Sequence, residues 1–241
     1  TAPVDDPKEA SWTVLIEPSD DRYLLGFQCF DQWIVAEERV EGIDEIRILD
    51  ANDISHYIDF PDSARVVGIG ANAEYQTDAI RLHYSSMVTP HTTYDYDLDQ
   101  RQLQVRKVQE IPSGYDPDNY VSERLWVDAR DGVRVPVSIL YRTDIEQPAP
   151  LYLYGYGAYG SSVDPSFSTT VLSLLDRGLV FAIAHIRGGD ELGYHWYEGG
   201  KGMNRTNAFN DFVDVARFLI QNGYTEQGEI AISGASAGGE L

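Results

Sequence analysis

Cysteine is all but absent: Cys29 is the only one in 241 residues. A single thiol closes no internal disulfide and builds no cysteine-based metal cluster, so neither can be the scaffold of this chain. Lysine is nearly as scarce, at Lys8, Lys107 and Lys201, and 18 basic residues face 39 acidic ones for a formal net charge of −21. That balance repels a phosphate backbone, which argues against a nucleic-acid partner. Long apolar runs are missing too. The most continuous one, Leu179 to Ile186, falls far short of the roughly 20 residues a membrane-crossing helix needs, so no membrane partner is expected. His56, His83 and His91 show no H-x-x-x-H or H-E-x-x-H spacing, and no metal site is expected. The glycine loop Arg187-Gly188-Gly189-Asp190-Glu191-Leu192-Gly193 lacks both the Lys-Ser/Thr of a P-loop and the G-x-G-x-x-G spacing, which disfavours a nucleotide; no cofactor of any kind is expected.

What is present is globular in character, with 43% hydrophobic and 12% aromatic residues over a length that suits one large or two ordinary domains. The acidity has two readings: a solvated surface that keeps the protein soluble, or a field that favours cationic substrates or reflects a salty environment.

Up to about residue 110 the hydrophobic pattern is short and two-periodic. Strands are expected at 12–16, 22–27, 33–37, 43–49, 55–60, 66–69 and 80–84, separated by Asp, Asn, Gly and Pro clusters such as Asp50-Ala51-Asn52-Asp53. Thr92 to Asp99 and Gln102 to Val105 read as a hairpin, and the whole fits an antiparallel propeller or sandwich. A turn-rich stretch from Ile111 to Asn119 marks a boundary, placing the domains at 1–118 and 119–241. Beyond it the grammar changes. A hairpin turns at Asp131-Gly132, apolar strands follow at 151–154 and 180–186, and helices are expected at 169–177 and 207–222. Alternating strands and helices predict an α/β layer with a mainly parallel sheet. Thr206 or Asn207 is expected to cap the long helix, Asn222-Gly223 to end it, and Phe209, Phe212, Val213, Ala216, Leu219 and Ile220 to form its buried stripe.

The chemistry concentrates near residue 241. Glu229-Ile230-Ala231-Ile232-Ser233 runs into Gly234-Ala235-Ser236-Ala237-Gly238-Gly239, an apolar strand entering G-x-S-x-G-G. Such a run fits a nucleophile elbow, in which glycines remove clashing side chains while a strand turns sharply into a helix and the serine is held exposed. A glycine-rich turn with an incidental serine is the plain alternative; the position after a strand in an α/β pattern favours the elbow. Ser236 is then the nucleophile, and the backbone N–H of Ala237 an oxyanion donor. A second donor is expected from Tyr154-Gly155-Tyr156-Gly157-Ala158-Tyr159-Gly160, where glycines admit close approach and tyrosines offer hydroxyls and flat walls. In this fold the acid and histidine follow the serine, yet only five residues follow Ser236. The chain thus reads as the front part of a serine hydrolase without its catalytic Asp and His. His185 and His195 precede the serine and read as structural.

These segments in this order resemble the prolyl oligopeptidase family of serine peptidases, and within it the oligopeptidase B branch. The resemblance rests on Tyr84-Ser85-Ser86-Met87-Val88-Thr89-Pro90, on Leu153 to Gly160, on Leu174-Leu175-Asp176-Arg177-Gly178, on Ile186 to Gly193, on Trp196-Tyr197 and on Ser236-Ala237-Gly238-Gly239. It implies that residues 1–118 are C-terminal blades of a seven-bladed β-propeller and that 119–241 begin an α/β-hydrolase domain. It also implies cytoplasmic cleavage of short peptides after Arg or Lys through an acyl-enzyme, with the Tyr156 hydroxyl completing the oxyanion hole, Tyr159 lining the primary pocket and Asp164 helping to hold a basic substrate residue. The chain departs from the family pattern at Ser166, where a second acid is usual, at Asp190 and Ala235, where glycine is usual, and at Glu240, usually apolar. Asp190 is expected to reshape its loop and Glu240 to disturb helix packing. Alternatives are a prolyl or acylaminoacyl peptidase or an esterase on the same scaffold, and a non-catalytic propeller that binds partners.

Overall fold

The computed structural model describes residues 1–52 and 54–241; Asp53, in the turn expected at 50–53, lies outside them. Two four-stranded antiparallel sheets come first. One holds β1 (Arg22–Cys29), β2 (Trp33–Val40), β3 (Ile43–Asp50) and β4 (Ser55–Tyr57) in sequence order. The other holds β5 (Arg65–Ile69), β6 (Ala79–Ser86), β7 (Thr92–Asp97) and β8 (Gln102–Val108), again in order. Each is a simple meander in which every strand lies antiparallel to the one before it, the longest connection running from Gly70 to Asp78. Alternate residues of both sheets, among them Ile46, Ile48, Ile80, Leu82 and Tyr84, meet in one shared core.

The strand expected at 12–16 is not formed. A strand needs a ladder partner for its backbone groups, and here the Trp12 and Thr13 N–H groups donate locally, to Glu9 and Thr1, while the indole N–H donates to Pro7. Trp12 and Val14 are both 64% exposed, so burial supplies no substitute for pairing.

The remaining sheet has five strands in the order β13-β11-β12-β10-β9, from β9 (Tyr120–Asp128), β10 (Arg134–Arg142), β11 (Leu151–Tyr154), β12 (Val180–Ala184) and β13 (Ile230–Ser233). It is mixed rather than mainly parallel. β11 runs parallel to both β12 and β13, but β10 is antiparallel to β9 and β12. The tight turn at Asp131-Gly132 imposes the first reversal, since only antiparallel strands are joined so closely. β12 is buried along its whole length, and Leu151 and Leu153 of β11 are fully buried beside it, each worth about 1.5–3 kcal/mol of transfer from water.

Helices α1 (Thr169–Leu175), α2 (Tyr194–Glu198), α3 (Arg205–Gln221) and α4 (Ala237–Glu240), with short 3-10 turns at Glu9–Ser11, Pro117–Asn119 and Gly202–Asn204, complete the described elements. The long helix starts two residues before its expected start, and neither Thr206 nor Asn207 caps it. Asn204 holds the cap position without a side-chain cap bond, and the Asn207 amide donates to the Gly199 carbonyl instead. Its end at Asn222, followed by Gly223 at φ +79°, matches the expectation. The buried stripe is rotated, however. Ala208, Asp211, Phe212, Asp214, Val215 and Leu219 face inward while Val213 is exposed. Two carboxylates go inside because two arginines meet them: Arg187 pairs with Asp211 and Asp131, and Arg130 with Asp214.

Candidate active site

The register of the mixed sheet sets the site. Tyr154 at the end of β11 lies opposite Ser233 at the end of β13, so the loops leaving both strands emerge together at one edge. From β13 the chain turns through Gly234-Ala235-Ser236 into α4. Ser236 is exposed and holds φ 55° and ψ −129°, a conformation that costs a non-glycine residue about 1–3 kcal/mol and persists only where its surroundings impose it. The surroundings here are two close backbone approaches. A Cβ on Gly234 would lie 1.9 Å from the Gly238 carbonyl oxygen, and one on Gly238 would lie 3.2 Å from both the Gly155 carbonyl oxygen and Cδ2 of Tyr156. The turn is closed by its own glycines, and the short helix leans on the tyrosine loop. Ser236 thus stands at the lip of the sheet with Ala237 as the first residue of the helix that follows.

In the tyrosine loop, Gly157 takes φ +58° and presses on Ile186, so that any Cβ would fall 2.5 Å from its Cγ1. The Gly160 N–H donates to the Gly188 carbonyl at 2.9 Å, tying this loop to the glycine loop after β12. Tyr156 is half-buried next to the serine turn, whereas Tyr159, also at positive φ, is 77% exposed. Tyr159 and Ala237 share a cleft of about 400 Å³ with Tyr197, Lys201, Arg205 and Glu240.

Asp164 is elsewhere. It borders a cavity of about 1000 Å³ between β5–β8 and the loop at 163–167, together with Ser166, Tyr84, His83 and His91. Its carboxyl is held above the ordinary carboxylate range by desolvation first and then by the Asp44 carboxylate, with Arg39 opposing and Glu191 and Asp190 adding to the push. The structure therefore brings Ser236, Ala237, Tyr156 and Tyr159 to one edge, and sets Asp164 apart from them, at the border of a separate cavity.

His185 is fully enclosed. Its Nε2 lies 2.8 Å from the Ser138 hydroxyl and its Nδ1 3.6 Å from Oε1 of Glu191, the latter too long for a hydrogen bond. Burial pushes the imidazole below its usual value despite Glu191, and Ser138, His185 and Glu191 are all buried away from solvent. His195 lies exposed on α2.

Two departures noted in the sequence resolve into contacts. The Asp190 carboxylate accepts from Arg39 Nη1 at 2.9 Å, joining its loop to β2. Glu240 does not disturb packing, because its half-exposed carboxylate lies 3.3 Å from Nε of Arg205. Arg205 was not singled out from sequence. The expected helix start at 207 leaves Arg205 outside the helix; only the observed start puts this cation in a first turn, where the dipole disfavours it.

Residues 1–109 match the family "Prolyl oligopeptidase, N-terminal beta-propeller domain" and residues 165–241 match "Prolyl oligopeptidase family". The chain belongs to the prolyl oligopeptidase family. The two meander sheets are thus blades of a β-propeller and the mixed sheet is part of a peptidase domain of α/β-hydrolase type. Among similar proteins, "Dipeptidyl aminopeptidase BI" of Pseudoxanthomonas mexicana is 43% identical over 100% of this chain and 34% of its own length. "Protease 2" of Moraxella lacunata is 35% identical over 94% of this chain and 33% of its own. The structure of oligopeptidase B from Leishmania major superposes with a TM-score of 0.89 at 35% identity, covering 98% of this chain and 35% of that one. The chain spans about a third of the length of these relatives.

Proposed function

We propose that this chain carries the nucleophile and oxyanion hole of a serine oligopeptidase that cleaves short peptides after Arg or Lys. In this reading Ser236 Oγ attacks the scissile carbonyl, and the Ala237 N–H and the Tyr156 hydroxyl take up the charge that develops on its oxygen. The catalytic Asp and His come from residues outside these 241. The observation that carries the reading is the strained, exposed Ser236 between β13 and α4, with the tyrosine loop packed against it. Preference for a basic residue is supported by the Asp164 carboxyl, which borders a cavity and is held above the ordinary range by burial and neighbouring carboxylates beyond what Arg39 offsets, a penalty that a substrate cation relieves, and by the resemblance to oligopeptidase B. Asp164 would then hold a basic residue on the acyl side of the bond, and Tyr159 would wall the pocket nearest Ser236.

A second reading, release of dipeptides from a free N-terminus, is favoured by the 43% identity to a protein named dipeptidyl aminopeptidase. One experiment separates them. The whole protein is assayed on N-blocked arginyl and prolyl amides and on unblocked dipeptidyl amides, with Ser236→Ala as control. Turnover of the blocked arginyl substrate that Ser236→Ala abolishes is the expected result; activity confined to unblocked dipeptides selects the second reading, and turnover that survives in Ser236→Ala overturns both.

A further inference from the structure

Helix α3 begins with a residue that its own dipole disfavours. Arg205 is its first residue and no acid lies in its first turn to offset the charge. The side chain is largely buried, with 18% of it exposed, and it lies over the Phe209 ring at 5.1 Å. From that ring of its own helix the guanidinium reaches two other segments. Nη1 donates to the carbonyl of Gly157, Nη2 donates to the carbonyl of Ala237 at 3.2 Å, and Nε donates to Glu240 at 3.3 Å.

Gly157 follows Tyr156, and Ala237 follows Ser236. One rigid, planar fork therefore spans the two chain segments from which the oxyanion donors of the proposed mechanism project. A hole made of preorganised donors works only while their spacing is fixed, and an error of about 1 Å costs on the order of 10²-fold in rate. We propose that Arg205 is a positioning residue for the oxyanion hole: it clamps the tyrosine loop to the serine turn and itself touches no reacting atom. The inference rests on the reading of Ser236 and Tyr156 given above. Glu240 is the outer partner that balances the guanidinium, and the carbonyls of Gly157 and Ala237 are the points it fixes.

The test uses the whole protein with a blocked arginyl amide and a peptide aldehyde, whose hemiacetal oxygen needs the same hole. Arg205→Met is expected to lower kcat by roughly 10–100-fold and to weaken the aldehyde by the same factor, with KM nearly unchanged. Arg205→Lys, which keeps the charge but not the fork, is expected to fall between. Combining Arg205→Met with Tyr156→Phe is expected to cost little more than the larger single loss, because both act on one donor set. Wild-type kcat and aldehyde affinity in Arg205→Met, or a loss confined to KM, overturns the proposal. If Arg205→Met does not fold, Arg205→Lys decides: unchanged kcat and aldehyde affinity there overturn it equally. Turnover that persists in Ser236→Ala would instead remove the underlying reading, whatever the Arg205 variants show.

Discussion

Arg39 and Asp190 are 151 residues apart in sequence, yet Nη1 of the first lies 2.9 Å from Oδ1 of the second, linking propeller strand β2 to the loop after β12. Arg39 is buried and also holds Asp44 at 2.9 Å; burial pulls its pKa down, but Asp44 first, then Asp190 and Glu191, prevail and raise it. A glycine at 190 would offer no such tie. Asp190→Ala is expected to cost about 2 kcal/mol, the scale of one charged hydrogen bond, because Asp44 keeps the arginine paired. Urea unfolding of wild type, Asp190→Ala, Arg39→Met and the double variant checks it. A double-mutant cycle with no coupling between the two sites would show that the contact does not contribute.

Gly234 tests the serine turn without touching the serine. Its missing Cβ would sit 1.9 Å from the Gly238 carbonyl oxygen, a contact that only backbone movement relieves. Gly234→Ala in the whole protein is expected to lose at least ~10² in turnover and in the rate of fluorophosphonate labelling, because Ser236 is displaced. Ala235→Gly, at an exposed position beside it, is the control and is expected to stay near wild type. Labelling of Gly234→Ala at the normal rate would mean that the turn does not set the serine.

Most strands were legible because each carries its signal locally: alternation in the blades, Asp131-Gly132 between β9 and β10, and an apolar run in β12. The rest was settled by partners distant in sequence. The inward face of α3 could not be read from hydrophobic period alone, since Asp211 and Asp214 are buried only because Arg187 and Arg130 reach them. Residues 12–16 carry a strand-like pattern but pair with no strand among the described residues. At the site, the glycines betray where backbones approach closely, which makes the serine turn and the tyrosine loop visible. Arg205 acts through carbonyl groups, which every residue possesses, so its partners leave no mark in the sequence.

His185 provides a pH test. Desolvation holds its folded-state pKa below the ordinary value of 6.5, against the pull of Glu191, so the folded protein keeps the imidazole neutral where the unfolded chain protonates it. At this group the unfolded state therefore binds more protons as pH falls through about 6.5, which lowers stability in that direction by at most about 1.4 kcal/mol per pH unit; the carboxyls that burial raises, Asp44, Glu45, Asp164 and Asp211, act in the opposite sense as they take up protons. His56 is also shifted down, by a smaller burial and by Arg101, and adds to the same slope. The carboxylates held low by arginines, Asp95, Asp131 and Asp214, keep their charge until well below this window and add their own loss only under stronger acid. The expected outcome is a falling denaturation midpoint between pH 7 and pH 5 that flattens in His185→Gln and flattens less in His56→Gln. Loss of the Ser138 hydrogen bond lowers the whole His185→Gln curve, so the slope rather than the height is the measure. A wild-type slope no steeper than that of His185→Gln would show that the buried imidazole is protonated in the folded chain, with Glu191 outweighing its desolvation.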